Sequence, residues 1–215
     1  MDTRTWPLFA LRIETPRLVL RPPTDDDFDG LCDAIDAGIH PPEVMPFDSP
    51  WTDAAPSRRR IGAALFWWRT RAMWQPDDWH LTLAAFVDGQ PIGMQGVMAQ
   101  RFGVLREVTT GSWLTQRAQG TGYGTEMRAA VLSFAFRDLA AEVARSGAYA
   151  DNGASITVSR RLGYTDNGTR RAAPRGTPKE VLQFELRRDA WATRAAEWPS
   201  TVHGFEVCRG MFGIE

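Results

Sequence analysis

Gln119-Gly120-Thr121-Gly122-Tyr123-Gly124-Thr125 is the stretch on which the reading of this chain turns. It sets three glycines into five positions, where the pattern changes from strand-like to helix-like. Glycine has no Cβ and tolerates positive φ, so the backbone can curl until successive N–H groups converge on one point. A helix behind it adds unpaired amides and the positive end of its dipole. Such a turn is a seat for an anion, most naturally a phosphate or pyrophosphate. Two common phosphate loops do not fit. A dinucleotide loop needs G-x-G-x-x-G, and alignment on Gly120 and Gly122 puts Thr125 where the last glycine belongs. A nucleotide P-loop needs G-K-[ST], and no lysine is present here. A third pattern, [QR]-x-x-G-x-[GA], is met by Gln119, Gly122 and Gly124. The plainer alternative is a glycine-rich turn that only caps a surface helix.

Outward from the loop, a strand over 105–114 feeds it and a helix over 122–138 follows, with Met127, Ala130, Val131, Phe134 and Ala135 on one face. A short strand, Val143 to Ala150, comes next. Asn152 then opens a helix in which Ala154, Val158 and Leu162 recur at i+4 and Gly163 supplies a left-handed stop. Residues 164–171 and 180–187 read as strands joined by the segment 172–178. Upstream, Trp79 to Val87 and Ile92 to Met98 flank Asp88-Gly89, a strong hairpin signal. Arg12 to Arg21 alternates as one half-buried strand, with Pro16 tolerated near its start or edge. Thr24-Asp25-Asp26-Asp27 starts a helix carrying Phe28, Leu31, Cys32 and Ile35, and Ser57 starts a second helix reaching about Trp74. Between them, residues 40–56 hold five prolines and read as a long irregular loop, a frequent place for function. Residues 188–215 read as a helix and tail. Hairpins on one side and strand-helix-strand crossovers on the other require a mixed α/β sheet.

The chain has 215 residues, enough for one domain with an extension. A net charge of -1 removes any general attraction to nucleic acid or an anionic membrane, and no apolar run is long enough to span a bilayer. Cys32 and Cys208 form no disulfide framework, their spacing fits no zinc site, and they suit a reducing cytoplasm. No secretory signal pattern is seen at the N-terminus. Trp67, Trp68, Trp74 and Trp79 crowd together. They read as core and helix-packing residues before they read as a substrate wall.

The element order over about residues 10–190 is similar to the fold of the GNAT superfamily, the Gcn5-related N-acetyltransferases. The glycine loop resembles that family's acyl-CoA pyrophosphate loop. Thr15-Pro16-Arg17-Leu18-Val19-Leu20-Arg21 looks like the opening of the branch that acetylates ribosomal proteins, the RimJ/RimL-like group. Gly122-Tyr123-Gly124-Thr125-Glu126 matches that branch, as do Asn152, Ser155, Leu162, Gly163 and Tyr164. Trp6-Pro7-Leu8-Phe9, Met45-Pro46-Phe47, Gly111-Ser112-Trp113-Leu114 and the segment 124–131 look like an actinobacterial subgroup that uses succinyl-CoA. The resemblance implies a GNAT sheet of about six to seven strands with helices on both faces, a catalytic domain over 1–190, and a C-terminal extension, 191–215, packed on it or at an oligomer interface.

It also implies direct transfer of an acetyl or succinyl group from CoA to an amine. Acyl-CoA is then a co-substrate, with no tightly bound cofactor and no metal. The amides of Gln119, Gly120, Thr121, Gly122, Tyr123, Gly124 and Thr125 would hold the pyrophosphate. The strand at Ser112, Trp113 and Leu114 would pair with the pantetheine arm, and amides near Trp113 and Leu114 would polarise the thioester carbonyl. Asn152 would bond the arm from the other side, or simply cap its helix. Many relatives place a tyrosine seven residues after this asparagine, where Ser159 stands here. Ser155 is the expected thiolate partner, with Ser159 in reserve. The family's glutamate two residues before the strand glycine is replaced by Thr109. Glu107, two residues further back on the same strand face, is the candidate base, with Asp151 and His80 behind it. A succinyl carboxylate would need a cationic partner, which His40, Arg58, Arg59 or Arg60 could supply. The acceptor is a small-molecule or peptide amine. The competing readings are a CoA-binding protein without turnover and an enzyme of another phosphate ligand such as NAD.

Overall fold

Asp88 and Gly89 both take positive φ, 47° and 76°, as a tight turn matched to the right-handed strand twist requires. They join β3 (Asp78–Val87) to β4 (Gln90–Gln100), the longest pairing of the sheet. β5 (Glu107–Leu114) lies antiparallel against β4. The chain then crosses through α4 (Tyr123–Ser133) to β6 (Val143–Tyr149), which runs parallel to β5. The computed structural model describes residues 2–214; Met1 and Glu215, at the ends of the two expected domain segments, lie outside them. With β1 (Arg12–Glu14), β2 (Val19–Arg21), β7 (Thr165–Ala172), β8 (Lys179–Arg187) and β9 (Thr201–His203), one mixed nine-stranded sheet forms in the order β7-β8-β6-β5-β4-β3-β2-β1-β9.

Nine strands replace the expected six to seven, for two local reasons. The run Arg12 to Arg21 is not one strand. Thr15 N–H donates to Leu18 O, and Leu18 N–H donates to the Thr15 hydroxyl, so the chain turns around Pro16 into a β1–β2 hairpin. The expected helix-and-tail is mostly short turns, α6 (Arg188–Ala192) and α7 (Phe205–Cys208), around β9, which pairs with β1. Its aromatics turn inward: Trp191, Phe205 and Phe212 are buried. Each fully buried ring of this kind contributes about 1.5–3 kcal/mol.

Alternation along the strands makes two cores. On one face α4 carries Met127, Ala130 and Val131 onto Val97, Val108 and Leu114. On the other face α1 (Phe28–Asp36) and α2 (Pro56–Ala72) lay Phe28, Leu31 and Trp67 onto Ala84, Phe86 and Met94. The tryptophan cluster divides: Trp67 and Trp79 are buried, Trp74 is partly buried, and Trp68 is 47% exposed. Behind α4 a π-helical turn, Phe134–Asp138, completes the expected helical run. A single turn, α3 (Phe102–Leu105), links β4 to β5. Among the described residues no helix is long and apolar enough to cross a membrane.

Two departures from regularity position the site. The parallel pairing of β5 and β6 covers only Glu107↔Val143 to Thr109↔Arg145, although β5 runs to Leu114 and β6 to Tyr149. Beyond Thr109 the strands part, leaving a cleft with one edge of β5 unpaired. The proline-rich segment 37–55 then bridges this cleft as a strap. At one end Gln116 N–H donates to Gly38 O, and Gln119 Nε2 donates to Ile39 O at 2.6 Å. At the other, the Tyr149 hydroxyl and Arg170 both reach Asp48 at 2.6 Å, and Arg175 grips Asp53 through two hydrogen bonds.

Candidate active site

The glycine loop stands at the open end of β5 and turns into α4. Gly120 and Gly122 have φ of 75° and 89°, so both use the left-handed region that glycine alone enters cheaply. Gln119 N–H donates to Gln116 O, and Thr125 N–H donates to Gly122 O at 3.1 Å. Among the described residues, the N–H groups of Gly120, Thr121, Gly122, Tyr123 and Gly124 have no protein acceptor. The expected seven amides therefore narrow to five, because the two outer ones close the turn. The Gln119 side chain is committed as well: Nε2 spans Ile39 O and Leu114 O, fastening the loop to the strap and to β5.

A clasp that the sequence did not announce fixes the loop from below. Glu126, in the first turn of α4, is 8% exposed. Its carboxylate accepts from the Thr15 hydroxyl and Arg17 Nε at 2.6 Å and from Arg17 N–H at 3.1 Å. Arg17 Nη2 lies 2.6 Å from the same group, Nη1 donates to Thr121 O, and the guanidinium lies 4.6 Å from the Tyr123 ring centroid. The two short motifs around Arg17 and Glu126 are thus the two halves of one contact.

The cleft walls come from β5 and α5 (Gly153–Arg161). Thr115 N–H bonds Ile92 O. The antiparallel alternation therefore turns the backbone groups of Trp113 towards β4 and those of Leu114 and Ser112 towards the cleft. Trp113 contributes its ring instead, 6.5 Å from that of Trp51 in the strap. Across the cleft Asn152 Oδ1 accepts Ser155 N–H at 3.1 Å, so the capping role is real and is filled by one end of the amide. The Ser155 hydroxyl has no protein partner among the described residues and is part-exposed.

Ser159 is corrected. It is fully buried and accepts from Arg128 Nη1 at 2.9 Å. Burial pushes that guanidinium below the usual arginine value, and Ser146 and Ser159 supply its polar contacts. Ser159 is part of this internal pairing and does not face the cleft.

Glu107 is also displaced. It begins β5, six residues and roughly 20 Å from Trp113 at strand rise. It pairs with Arg145 Nε at 2.8 Å, and Arg145 reaches on to Glu185. Asp151 is bound by Lys179 Nζ at 2.6 Å. His80 is different: it lines a cavity of about 530 Å³ between α2, the strap and the sheet, together with Phe66, Trp67, Gly96, Ser112 and Trp113. Burial alone pushes its imidazole down to about 4. Arg59 and Arg60 are tied to Asp36, and His40 bonds Thr52 and Pro41 O. Arg58 lines the same cavity and has no carboxylate partner among the described residues.

Residues 17–165 match the acetyltransferase (GNAT) domain family. This chain belongs to the GNAT family. Solved structures agree with the fold of this GNAT protein. Mycobacterium smegmatis RimJ, solved in complex with CoA-disulfide, is 17% identical with a TM-score of 0.71, over 90% of this chain and 99% of that one. A Vibrio cholerae chain named as a ribosomal-protein-serine acetyltransferase is 22% identical with a TM-score of 0.64, over 82% and 97%. A Salmonella typhimurium acetyl transferase described as modifying the N-terminal serine of ribosomal protein L7/L12 is 16% identical with a TM-score of 0.64, over 80% and 96%. The mixed sheet with helices on both faces is the GNAT arrangement expected from the element order.

Proposed function

We propose that the chain moves an acyl group directly from an acyl-CoA thioester to an amine. One observation carries the reading: the free amides of Gly120–Gly124, the unpaired edge of β5 beyond Thr109, and the cavity at Trp113 follow one another along a single path. The pyrophosphate takes the five amides and the α4 dipole. The pantetheine arm pairs with the free β5 edge like an added strand, using the outward groups of Ser112 and the N–H of Leu114, whose carbonyl already accepts from Gln119. One of these N–H groups polarises the thioester carbonyl. Asn152 Nδ2 holds the arm from the other wall. Ser155 donates its hydroxyl hydrogen bond to the departing thiolate, helped by the positive end of α5. We assign the acyltransferase unit to residues 1–190, with 191–215 as an extension packed against it.

Two finer points are part of the proposal. The donor is succinyl-CoA, because among the described residues Arg58 is the cation beside the cavity without a carboxylate partner, and a distal carboxylate would pair with it. The acceptor is a peptide or protein amine, as the named activities of the Vibrio and Salmonella neighbours suggest. A second reading, a CoA-binding protein without turnover, draws on the engagement of Glu107 elsewhere. Calorimetry with CoA, acetyl-CoA and succinyl-CoA, paired with thiol release in the presence of peptides with free N-termini, decides between them. Binding with amine-dependent thiol release supports transfer. Binding without release for any amine supports the second reading, and absence of binding rejects both. Equal kcat/KM for acetyl and succinyl donors, unchanged in R58A, rejects the role of Arg58.

A further inference from the structure

His80, Gly96 and Gly111 sit on the same face of β3, β4 and β5 and look into the α2 cavity. A Cβ placed on Gly96 would lie 3.0 Å from His80 Nε2 and 3.4 Å from Gly111 O. The imidazole therefore leans over bare backbone into a notch that any side chain at position 96 would fill. Gly111, opposite Gly96, is also bare, so the floor continues one strand spacing, ~4.8 Å, to β5. The far edge of β5 is the one left open by the cleft. The Phe66 ring stands edge-on to the imidazole at 5.4 Å, and among the described residues neither ring nitrogen has a hydrogen-bond partner. The charged groups lining the cavity are Arg58 and Arg59, and no carboxylate among the lining residues would hold the imidazole protonated.

We propose that His80 receives the acceptor: its unprotonated Nε2 accepts an N–H of the incoming neutral amine and takes that proton as the new C–N bond forms. This rests on the acyltransferase reading above. The amine nitrogen bonds to the thioester carbon and the C–S bond breaks. The amine proton passes to Nε2 and then, directly or through one water, to the CoA thiolate, so the imidazole ends neutral. The geometry favours His80 over the carboxylates, since Glu107 lies at the far end of β5 in an ion pair and Asp151 is held by Lys179. The apolar walls also select the uncharged amine, the form that can attack.

The test uses the full chain with H80A, H80Q and G96A, reading melting temperature, acyl-CoA Kd, and kcat and KM for a peptide amine. H80A is expected to lose about 100-fold or more in kcat/KM, the usual scale of acid–base catalysis, with Kd for acyl-CoA within about twofold and partial rescue by added imidazole. H80Q, which keeps an acceptor but no base, is expected to hold KM and lose kcat. G96A is expected to lose activity with His80 intact, because the notch is plugged. The proposal is overturned if folded H80A works within about threefold of the parent, or if H80Q restores full kcat, which would mark a packing role. If the parent chain itself binds acyl-CoA yet transfers to no amine, the acyltransferase reading fails and takes this proposal with it. An active parent with indifferent variants sinks His80 alone.

Discussion

Replacing Glu126 by glutamine tests whether the clasp organises the glycine loop. The carboxylate accepts from Thr15 Oγ1, Arg17 N, Arg17 Nε and Arg17 Nη2. A glutamine keeps the shape but turns one oxygen into a donor, so at least one bond becomes a donor facing a donor. Hydrogen bonds to charged groups contribute about 1.5–3 kcal/mol each. The side chains of Arg17 and Glu126 are 47% and 10% exposed, so water recovers part of the arginine's loss but little of the carboxylate's. The net cost is ~3 kcal/mol, which for a chain of this length lowers Tm by roughly 6–12 °C. Because Arg17 also holds Thr121 O and covers Tyr123, CoA affinity falls as well. Thermal unfolding of E126Q, R17Q and the double variant gives the coupling between them. A Tm shift below about 1 °C, or additive single effects with no coupling, would refute the clasp.

Gly122→Ala forces a side chain to a φ of 89° with Arg17 Nη2 3.2 Å from the new Cβ. That strain costs about 1–2 kcal/mol, and calorimetry is expected to show CoA Kd rising at least ~10-fold as the amides turn. Burial alone would raise the Asp48 carboxyl, but its bonds to the Tyr149 hydroxyl and Arg170 outweigh this and hold it below the usual aspartate value. A carboxylate depressed on folding contributes stability above its unfolded value, about 3.9, and loses it as pH falls through the lower folded value. Protease cleavage within residues 40–55 is therefore expected to appear in acid, and D48N is expected to show it at neutral pH. His80 has the opposite charge and the same direction. Its value falls from 6.5 to about 4 on burial, so the unfolded chain binds more protons between those pH values and stability drops as pH falls through that window. The pH slope of Tm between 6.5 and 4 is expected to flatten in H80F.

The glycine loop and the strands around it were legible because local chemistry decides them: Asp88-Gly89 and Gly120/Gly122 each need positive φ, and few residues accept it. The ordering of α4, β6 and α5 followed from side-chain periodicity. What stayed hidden depends on distant partners. Thr15 and Glu126 are 111 residues apart, and Asp48 and Tyr149 are 101, so neither contact leaves a mark in spacing. Glu107 looked suitable from its strand face alone, but face says nothing about position along the strand, and Arg145 next door claims it. Ser159 matched a family position by count and is withdrawn by Arg128, a cation whose burial no local pattern foretold. The β1–β2 turn is hidden in the sequence because Pro16 weakens a strand without announcing how the chain bends.

The glycine loop lies on the α4 side of the sheet and the His80 cavity on the α2 side, with the parted strands between them. A layout with two doors has a kinetic consequence. On the proposed reading neither reactant blocks the other's way in, so double-reciprocal plots are expected to intersect, with no fixed order of arrival. On that reading CoA would exchange at the back while a polypeptide acceptor stayed docked at the front, and a single docking event would serve several amines in turn.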